Sequence, residues 1–187
     1  MTYITRLQRA YVHSVRPLHG VRGIGRLSRL VNRGFLKAGV PPIQTGRMRD
    51  GTRMRTDLRS QTEWYAFYSG RYDDGVIALI QRLLSRCGGN FLDVGGNIGM
   101  YAVRVGAGLE TGQRSLCFEP MPENAKRIRE NARLNNLQDM VEVIEVALSD
   151  VDGETDLILR EDFEMGSATG NSSVAISEDA DKQFRKI

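Results

Sequence analysis

A glycine-rich segment follows a short apolar run near the middle of the chain and carries groups that could bind a ligand. The run Phe91–Val94 includes Asp93, and three glycines follow it at Gly95, Gly96 and Gly99. An apolar run that ends in glycines is typical of a strand that turns into a helix, where a ligand meets backbone N–H groups. Because glycines let the backbone approach a ligand closely, the sequence predicts a nucleotide-binding loop.

The spacing of the glycines distinguishes two classes of nucleotide cofactor. Dinucleotide-binding loops follow the pattern G-x-G-x-x-G, whereas Asn97 stands where the second glycine of that pattern would fall. The carboxylate of Asp93 would repel a pyrophosphate, but it suits a cationic ligand such as the ammonium of a methionine moiety beside a sulfonium. Glu119, 26 residues after Asp93, can accept hydrogen bonds from both hydroxyls of a ribose. These residues favour S-adenosylmethionine (SAM); the alternative is a tight turn and a solvated strand end.

The pattern around these residues alternates between strands and helices from residue 90 onward. It predicts strands at 91–94, 115–118 and 141–148, with helices at 97–108 and 122–134 between them. A β-α-β-α-β order predicts a parallel sheet, and therefore an α/β, Rossmann-like fold. Beyond residue 150 the pattern predicts a turn at 152–153, a loop at 166–173, and short strands at 155–159 and 174–176.

The first 90 residues differ in pattern from the rest of the chain. They predict helices at 3–16, 25–38, 62–74 and 75–86, and a β-hairpin at 45–58 that turns at Asp50-Gly51. We therefore predict three parts: a basic helical arm at 1–42, a hairpin with helices at 43–90, and a SAM-binding domain at 91–187.

Charge is unevenly distributed along the chain. Residues 1–56 carry a net charge of +11 and residues 57–187 carry −8. The basic arm has two interpretations: peripheral contact with an acidic membrane surface, or docking on the domain with its arginines in solvent. The second is favoured, because charge runs usually mark solvated faces. Nucleic acid is disfavoured as a partner, because no aromatic residues interleave the arginines of residues 22–37.

Composition excludes several classes of protein and of site. No apolar run approaches the roughly 20 residues that a membrane-spanning helix needs, and no secretory signal is visible. Cys87 and Cys117 form no C-x-x-C pair, so neither a disulfide framework nor a metal site is predicted, and the cytoplasm is the expected location. The two histidines, His13 and His19, lie in the arm, so the general base and the other catalytic residues stay unassigned.

Three blocks of sequence resemble the FkbM family of SAM-dependent methyltransferases. They read "FLDVGGNIGMYAVRVG", "CFEPMPENAKRIRENARLNNL" and "VEVIEVALSDVDGETDL". The resemblance covers roughly residues 60–175. It implies a class I methyltransferase fold and O-methylation of a hydroxyl on a sugar, glycan or secondary metabolite. The alternatives are a non-catalytic remnant and an RNA methyltransferase.

The resemblance also implies roles for individual residues. Asp93, Gly95, Asn97 and Gly99 would surround the methionine part of SAM, and Glu119 would hold the ribose. The backbone at Ala147 and Leu148 would lie along the adenine. Gly96 stands where the family usually has alanine, a change expected to be mild.

The family continues into a fourth strand that reads like K-I-D-V-E-G, which this sequence does not contain before Ile187. We therefore expect a C-terminally truncated fragment, in which the first strand of the sheet has an unpaired edge. We further expect that this chain alone does not transfer methyl groups.

Overall fold

A computed structural model describes residues 2–150, 153, 157–160, 172–174 and 184–186. Contacts between residues divide the chain into two compact units, Met1–Tyr72 and Asp73–Ile187. The segment predicted as 43–90 therefore contributes to both units: its hairpin and first helix belong to the first, and its second helix to the second. The functional boundaries after residues 42 and 90 stay predictions.

The first unit combines helices with a β-hairpin, as the sequence predicts, but the helix predicted at 62–74 ends at Ser69, because Gly70 adopts a φ of 67°. Its elements are α1 (Tyr3–Val15), a 3₁₀-helix (Arg16–Leu18), α2 (Ile24–Lys37), β1 (Ile43–Arg47), β2 (Arg53–Asp57) and α3 (Gln61–Ser69). The two strands pair antiparallel, with Ile43 opposite Asp57 and Arg47 opposite Arg53. Gly51 has a φ of 92° in the connecting turn, which confirms the predicted hairpin.

Aromatic side chains form the core of the first unit. Its buried cluster consists of Val12, Val15, Leu58, Trp64, Phe67 and Tyr68. Two buried amides are satisfied within this core: Gln8 donates to the Tyr68 hydroxyl at 3.1 Å, and Asn32 donates to the carbonyl of Leu58 at 2.7 Å. These bonds join α1 and α2 to α3 and the chain before it, so the helices and the hairpin share one core.

The second unit contains a three-stranded parallel sheet. Its elements are α4 (Asp74–Cys87), β3 (Phe91–Val94), α5 (Ala102–Gly106), β4 (Ser115–Phe118), α6 (Pro122–Leu134) and β5 (Val141–Ile144). The strand order is β3-β4-β5, with Asp93 opposite Cys117 and Cys117 opposite Val143. This β-α-β-α-β arrangement is that of one half of a Rossmann-like sheet, which confirms the predicted α/β class.

Two element boundaries in this unit differ from the prediction. The helix predicted at 97–108 begins only at Ala102, because Asn97 and Gly99 adopt φ values of 52° and 84° that a right-handed helix does not allow. The strand predicted at 141–148 ends at Ile144, which pairs with Phe118, the last residue of β4. Residues 145–148 therefore have no partner strand among the described residues.

A small antiparallel sheet follows the parallel one. Its strands are β6 (Leu157–Arg160), β7 (Ser172–Val174) and β8 (Phe184–Lys186), in the order β7-β6-β8. The predicted strands at 155–159 and 174–176 each overlap one of these strands and extend outside the described residues. The predicted turn partner Asp152 and most of the loop at 166–173 also lie outside them.

The two faces of the parallel sheet are in different environments. One face packs on α6, whose predicted inner residues Ala125, Ile128 and Ala132 are all buried. On the other face, Leu92 is 55% exposed and Val94 is 62% exposed. Among the strands that the structure describes, β3 pairs only with β4. No helix in the described part of the chain is long and apolar enough to cross a membrane.

Candidate functional site

The glycine loop lies at the carboxyl edge of the parallel sheet, where the three strands end together. The N–H groups of Gly95 and Gly96 donate to the carbonyl of Phe118 at 2.8 Å and 3.3 Å. The N–H of Glu119 in turn donates to the carbonyl of Ile144 at 3.0 Å. Ligands of such sheets bind at this edge, so the structure brings the predicted loop and Glu119 together in the expected place.

Two glycines of the loop are required by its backbone. Gly95 has a φ of 80° and its α-carbon faces open space, so the loop is accessible there. Gly99 has a φ of 84°, and a β-carbon on it would stand 3.0 Å from Val103 and 3.1 Å from Ile128. Gly99 therefore lets the loop pass close to α6, whereas Gly95 leaves room above the backbone.

Gly96 is required by its neighbour and not by its backbone. It is buried, and a β-carbon on it would overlap the Sγ atom of Cys117. The expectation that glycine for alanine is a mild change at this position is therefore wrong for this chain, because Cys117 occupies the space that an alanine methyl group would need. The Cys117 side chain thus fills the space beside Gly96 that a larger residue at position 96 would occupy.

Asp93 points beneath the loop and supports the start of α5. Its Oδ2 atom accepts a hydrogen bond from the N–H of Ala102 at 2.9 Å, and the Cys117 thiol donates to the same atom at 3.9 Å. Burial raises the pKa of Asp93, and the nearby charge of Glu119 adds to this rise, while the Ala102 and Cys117 hydrogen bonds oppose it. Burial, with the charge of Asp93 second, also raises the pKa of the Cys117 thiol. Cys117 is therefore a packing residue and not a nucleophile.

Glu119 supports the loop from the neighbouring strand. Its side chain is only 4% exposed. One carboxylate oxygen accepts from the N–H of Asn97 at 2.7 Å, and the other accepts from the N–H of Met121 at 3.1 Å and from the Asn124 amide at 3.5 Å. A carboxylate offers about four acceptor positions, so a position remains for a ligand hydroxyl. The contact with a ribose stays a prediction.

Asn97 contributes a buried acceptor that no described group of the protein satisfies. Its φ of 52° is unusual for a residue with a side chain, although asparagine tolerates it best. Its Oδ1 atom is buried and has no hydrogen-bond partner among the described residues. Because buried polar atoms are nearly always hydrogen-bonded, this atom indicates a place where a donor from a ligand or a water belongs.

The remaining predicted site residues lie beyond the end of β5. Ala147 and Leu148 are exposed, Leu148 by 51%, and both follow the strand in an irregular segment. Exposure leaves their backbone accessible at the same edge of the sheet. The contact with an adenine stays a prediction.

One supporting residue was missed by the sequence reasoning. Asn131 is fully buried on α6 and donates to the carbonyl of Ile98 in the loop at 2.9 Å. The available signal was its position three residues after Ile128, where an amide interrupts an apolar helix face. A polar residue on such a face needs a partner, and the loop supplies it.

The site is rich in acceptors and free of basic residues. Neither 89–103 nor 115–125 contains a Lys or Arg, whereas Asp93, Asn97 and Glu119 all place oxygen atoms at the loop. This charge distribution disfavours a pyrophosphate and favours a ligand with cationic groups and hydroxyl donors. Among the described residues, no group of three or more His, Cys, Asp or Glu could hold a metal ion.

No protein-family model matches the chain, and no curated protein matches it. Among solved structures, the chain is similar to an O-methyltransferase from Bacillus cereus in complex with SAH, with 28% identity over 40% of this chain and 34% of that one. It is also similar to an RNA methyltransferase from Salinibacter ruber in complex with S-adenosyl-L-homocysteine, with 23% identity over 44% and 53% of the two chains. Both TM-scores are 0.36, and the chain spans about a third to a half of the length of these proteins. At a TM-score of 0.36, the similarity supports no conclusion about the function of this chain.

Proposed function

We propose that the glycine loop binds SAM and that the chain belongs to a SAM-dependent O-methyltransferase of the FkbM type. The observation that carries this proposal is the buried, unpartnered Oδ1 atom of Asn97 in a loop without basic residues. The three sequence blocks quoted above support the assignment to the FkbM type. The acceptor is a hydroxyl of a sugar, glycan or secondary metabolite.

The residues present fit the chemical groups of SAM. The ammonium group of its methionine part supplies hydrogen-bond donors that Asn97 Oδ1 lacks among the described residues. The open backbone at Gly95 leaves room for the ligand to approach. The remaining acceptor position of Glu119 matches a ribose hydroxyl, and acidic groups favour the positive charge of a sulfonium.

When bound, SAM would supply an activated methyl group for transfer to the acceptor hydroxyl. The residues of this chain act by binding and orienting, which can lower a barrier substantially without covalent chemistry. Asp93 and Glu119 hold the loop in place, and the buried loop residues Ile98 and Met100 exclude water from beneath it. The group that takes the hydroxyl proton stays unassigned.

The test is a calorimetric titration of the purified chain with S-adenosylhomocysteine, which measures binding independently of turnover. Gly95→Ala adds a methyl group in the open space of the loop, and we expect it to weaken binding about tenfold or more. Gly112→Ala is the matched control. Gly112 has a φ of 92° and open space around it, but it precedes β4 and so lies at the opposite edge of the sheet.

Both variants carry a similar backbone strain of about 1–2 kcal/mol, so an equal loss of thermal stability is expected. Only Gly95→Ala should lose affinity. Asn97→Ala should lose affinity as well, because it removes the unpartnered acceptor. If the chain does not bind S-adenosylhomocysteine, or if all three variants bind as the parent does, the proposed function is wrong and the loop is only a structural turn.

A further inference from the structure

The first unit contains a basic pocket that the proposed function does not use. The pocket has a volume of about 220 Å³ and lies between α1, the 3₁₀-helix, β1 and α3. Its lining residues are Arg9, Val12, His13, Arg16, Thr45, Gly46, Arg47 and Phe67. Pockets for drug-sized ligands have roughly 300–1,000 Å³, so this one suits a smaller group.

The positive charge of the pocket is not neutralised within the unit. Residues 1–72 contain fourteen Lys and Arg against three Asp and Glu, a net charge of +11. Two of the acids are engaged elsewhere, since Asp57 pairs with Arg59 and Glu63 accepts from the N–H of Asp57. Asp50 accepts from the N–H of Thr52 in the hairpin turn.

The three arginines of the pocket lack acidic partners. Among the described residues, none of Arg9, Arg16 and Arg47 forms an ion pair with an acid. Arg9 and Arg47 are exposed, so their guanidinium groups can reach a ligand without rearranging the core. Like charges gathered without a counter-charge repel one another, and a bound anion would relieve that repulsion.

A second group of cations adjoins the pocket through Arg16. Burial lowers the pKa of His19, and the charges of Arg71, Arg16 and Arg49 lower it further. Both ring nitrogens of His19 and the Nε atom of Arg16 are buried without a hydrogen-bond partner among the described residues. Arg16 itself is held by a bond of 3.0 Å from its Nη2 atom to the carbonyl of Phe67. The Nε–H of Arg16 and the one N–H of a neutral His19 ring are therefore donors for which the described residues supply no acceptor.

We propose that this pocket and the adjoining cations around Arg16 form a binding site for a phosphate or diphosphate group. Guanidinium groups match phosphate oxygens with paired hydrogen bonds, and a phosphate supplies the acceptors that Arg16 and His19 lack. The ligand is a phosphorylated molecule whose phosphate enters the pocket, either a soluble one or the headgroup of a lipid.

The test is a calorimetric titration of the full chain with inorganic pyrophosphate at constant ionic strength. The variant Arg9→Gln with Arg47→Gln removes two exposed charges at the pocket, and we expect its affinity to fall about tenfold or more. The matched control is Arg22→Gln with Arg26→Gln, which removes two exposed charges outside the pocket lining. We expect the control to bind as the parent does.

A second readout does not depend on these substitutions. Proton NMR of the His19 ring should show its pKa rising when pyrophosphate saturates the site, and not when sodium chloride replaces it at the same ionic strength. Absence of binding, equal losses in both double variants, or a His19 pKa that chloride shifts as much would each overturn the proposal.

The source of the phosphate is decided by a parallel experiment. Sedimentation with vesicles of phosphatidylcholine and phosphatidic acid, compared with phosphatidylcholine alone, tests a lipid headgroup. Vesicle binding that pyrophosphate displaces supports the site and assigns it to lipid, whereas pyrophosphate binding without vesicle binding supports a soluble ligand. Binding only to a single-stranded RNA, without competition by pyrophosphate, would overturn the pocket as the site.

Discussion

The contact between Gly96 and Cys117 supports a quantitative prediction about the loop. Gly96 has an ordinary backbone conformation, so an alanine there costs no backbone strain. Its methyl group would nevertheless overlap the Cys117 Sγ atom, which is fully buried opposite Asp93 in the sheet. The informative perturbation is therefore a pair of changes, Gly96→Ala and Cys117→Ala, made singly and together.

The expected magnitudes follow from packing. Forcing an extra methyl group into a filled core costs about 1–3 kcal/mol of unfolding free energy, so Gly96→Ala should lose that amount. Cys117→Ala removes one buried sulfur atom and should lose about 1 kcal/mol. In the double variant the methyl group added at position 96 occupies the space that the sulfur leaves, and the loss should not exceed that of Cys117→Ala alone. The coupling free energy is then about 1–3 kcal/mol in the stabilising direction.

The assay must report on the second unit. The single tryptophan, Trp64, lies in the first unit, so its fluorescence would follow the wrong part of the chain. Urea unfolding followed by far-UV circular dichroism, with hydrogen exchange of the amides of α6, measures the relevant stability. If Gly96→Ala lowers the free energy of unfolding by less than about 0.5 kcal/mol, or if the losses add in the double variant, then residues 96 and 117 do not compete for the same space.

Four further predictions concern other residues. Because burial raises the pKa of Asp93 above its ordinary value, the folded state binds the Asp93 proton more tightly than the unfolded state does. The free energy of unfolding should therefore fall as pH rises from the ordinary aspartate pKa of about 3.9 through the pKa of Asp93 in the folded state. Asp93→Asn should flatten this pH dependence, which urea unfolding at a series of pH values measures. Asp74→Ala removes the acid that pairs at 2.8 Å with Arg104, which is only 2% exposed, and should cost about 1–3 kcal/mol in the same assay; an unchanged midpoint would contradict this. Gly46→Ala places a β-carbon 2.8 Å from the Phe67 ring and should destabilise the first unit by about 1–3 kcal/mol, measured by Trp64 fluorescence. The exposed helix residue Gly34 meets no such neighbour, so Gly34→Ala should stabilise the unit by about 0.5–1 kcal/mol.

Periodicity and turn residues were sufficient to predict most elements of the described chain. The hairpin followed from Asp50-Gly51, and the strands and helices of the parallel sheet followed from apolar runs separated by a helical pattern. The start of α5 could not be predicted, because asparagine and glycine at 97 and 99 are compatible with a helix in sequence and only the positive φ values exclude it. The end of β5 depends on where its partner strand β4 ends, and this is set by the tertiary structure and not by the local sequence.

The position of the glycine loop and of Glu119 at one edge of the sheet could be predicted from the sequence, but their supporting contacts could not. Asp93 and Glu119 were expected to face the ligand, whereas most of their hydrogen bonds run to the backbone at Ala102, Asn97 and Met121. These bonds join residues on different strands and turns, so no local pattern indicates them. The basic pocket was equally hidden, because its arginines come from α1, the 3₁₀-helix and β1, and β1 is far in sequence from the other two elements.

The carboxylates beneath the glycine loop have a thermodynamic consequence for any ligand that binds there. They fix the N–H groups of Asn97 and Ala102 before a ligand arrives, so binding needs little ordering of the backbone. Association at this edge should then resemble docking to a rigid surface, with a heat-capacity change set by the ligand's own buried apolar area and not by coupled folding. Asp93 and Glu119 thus also determine how much conformational entropy the loop backbone loses when a ligand binds.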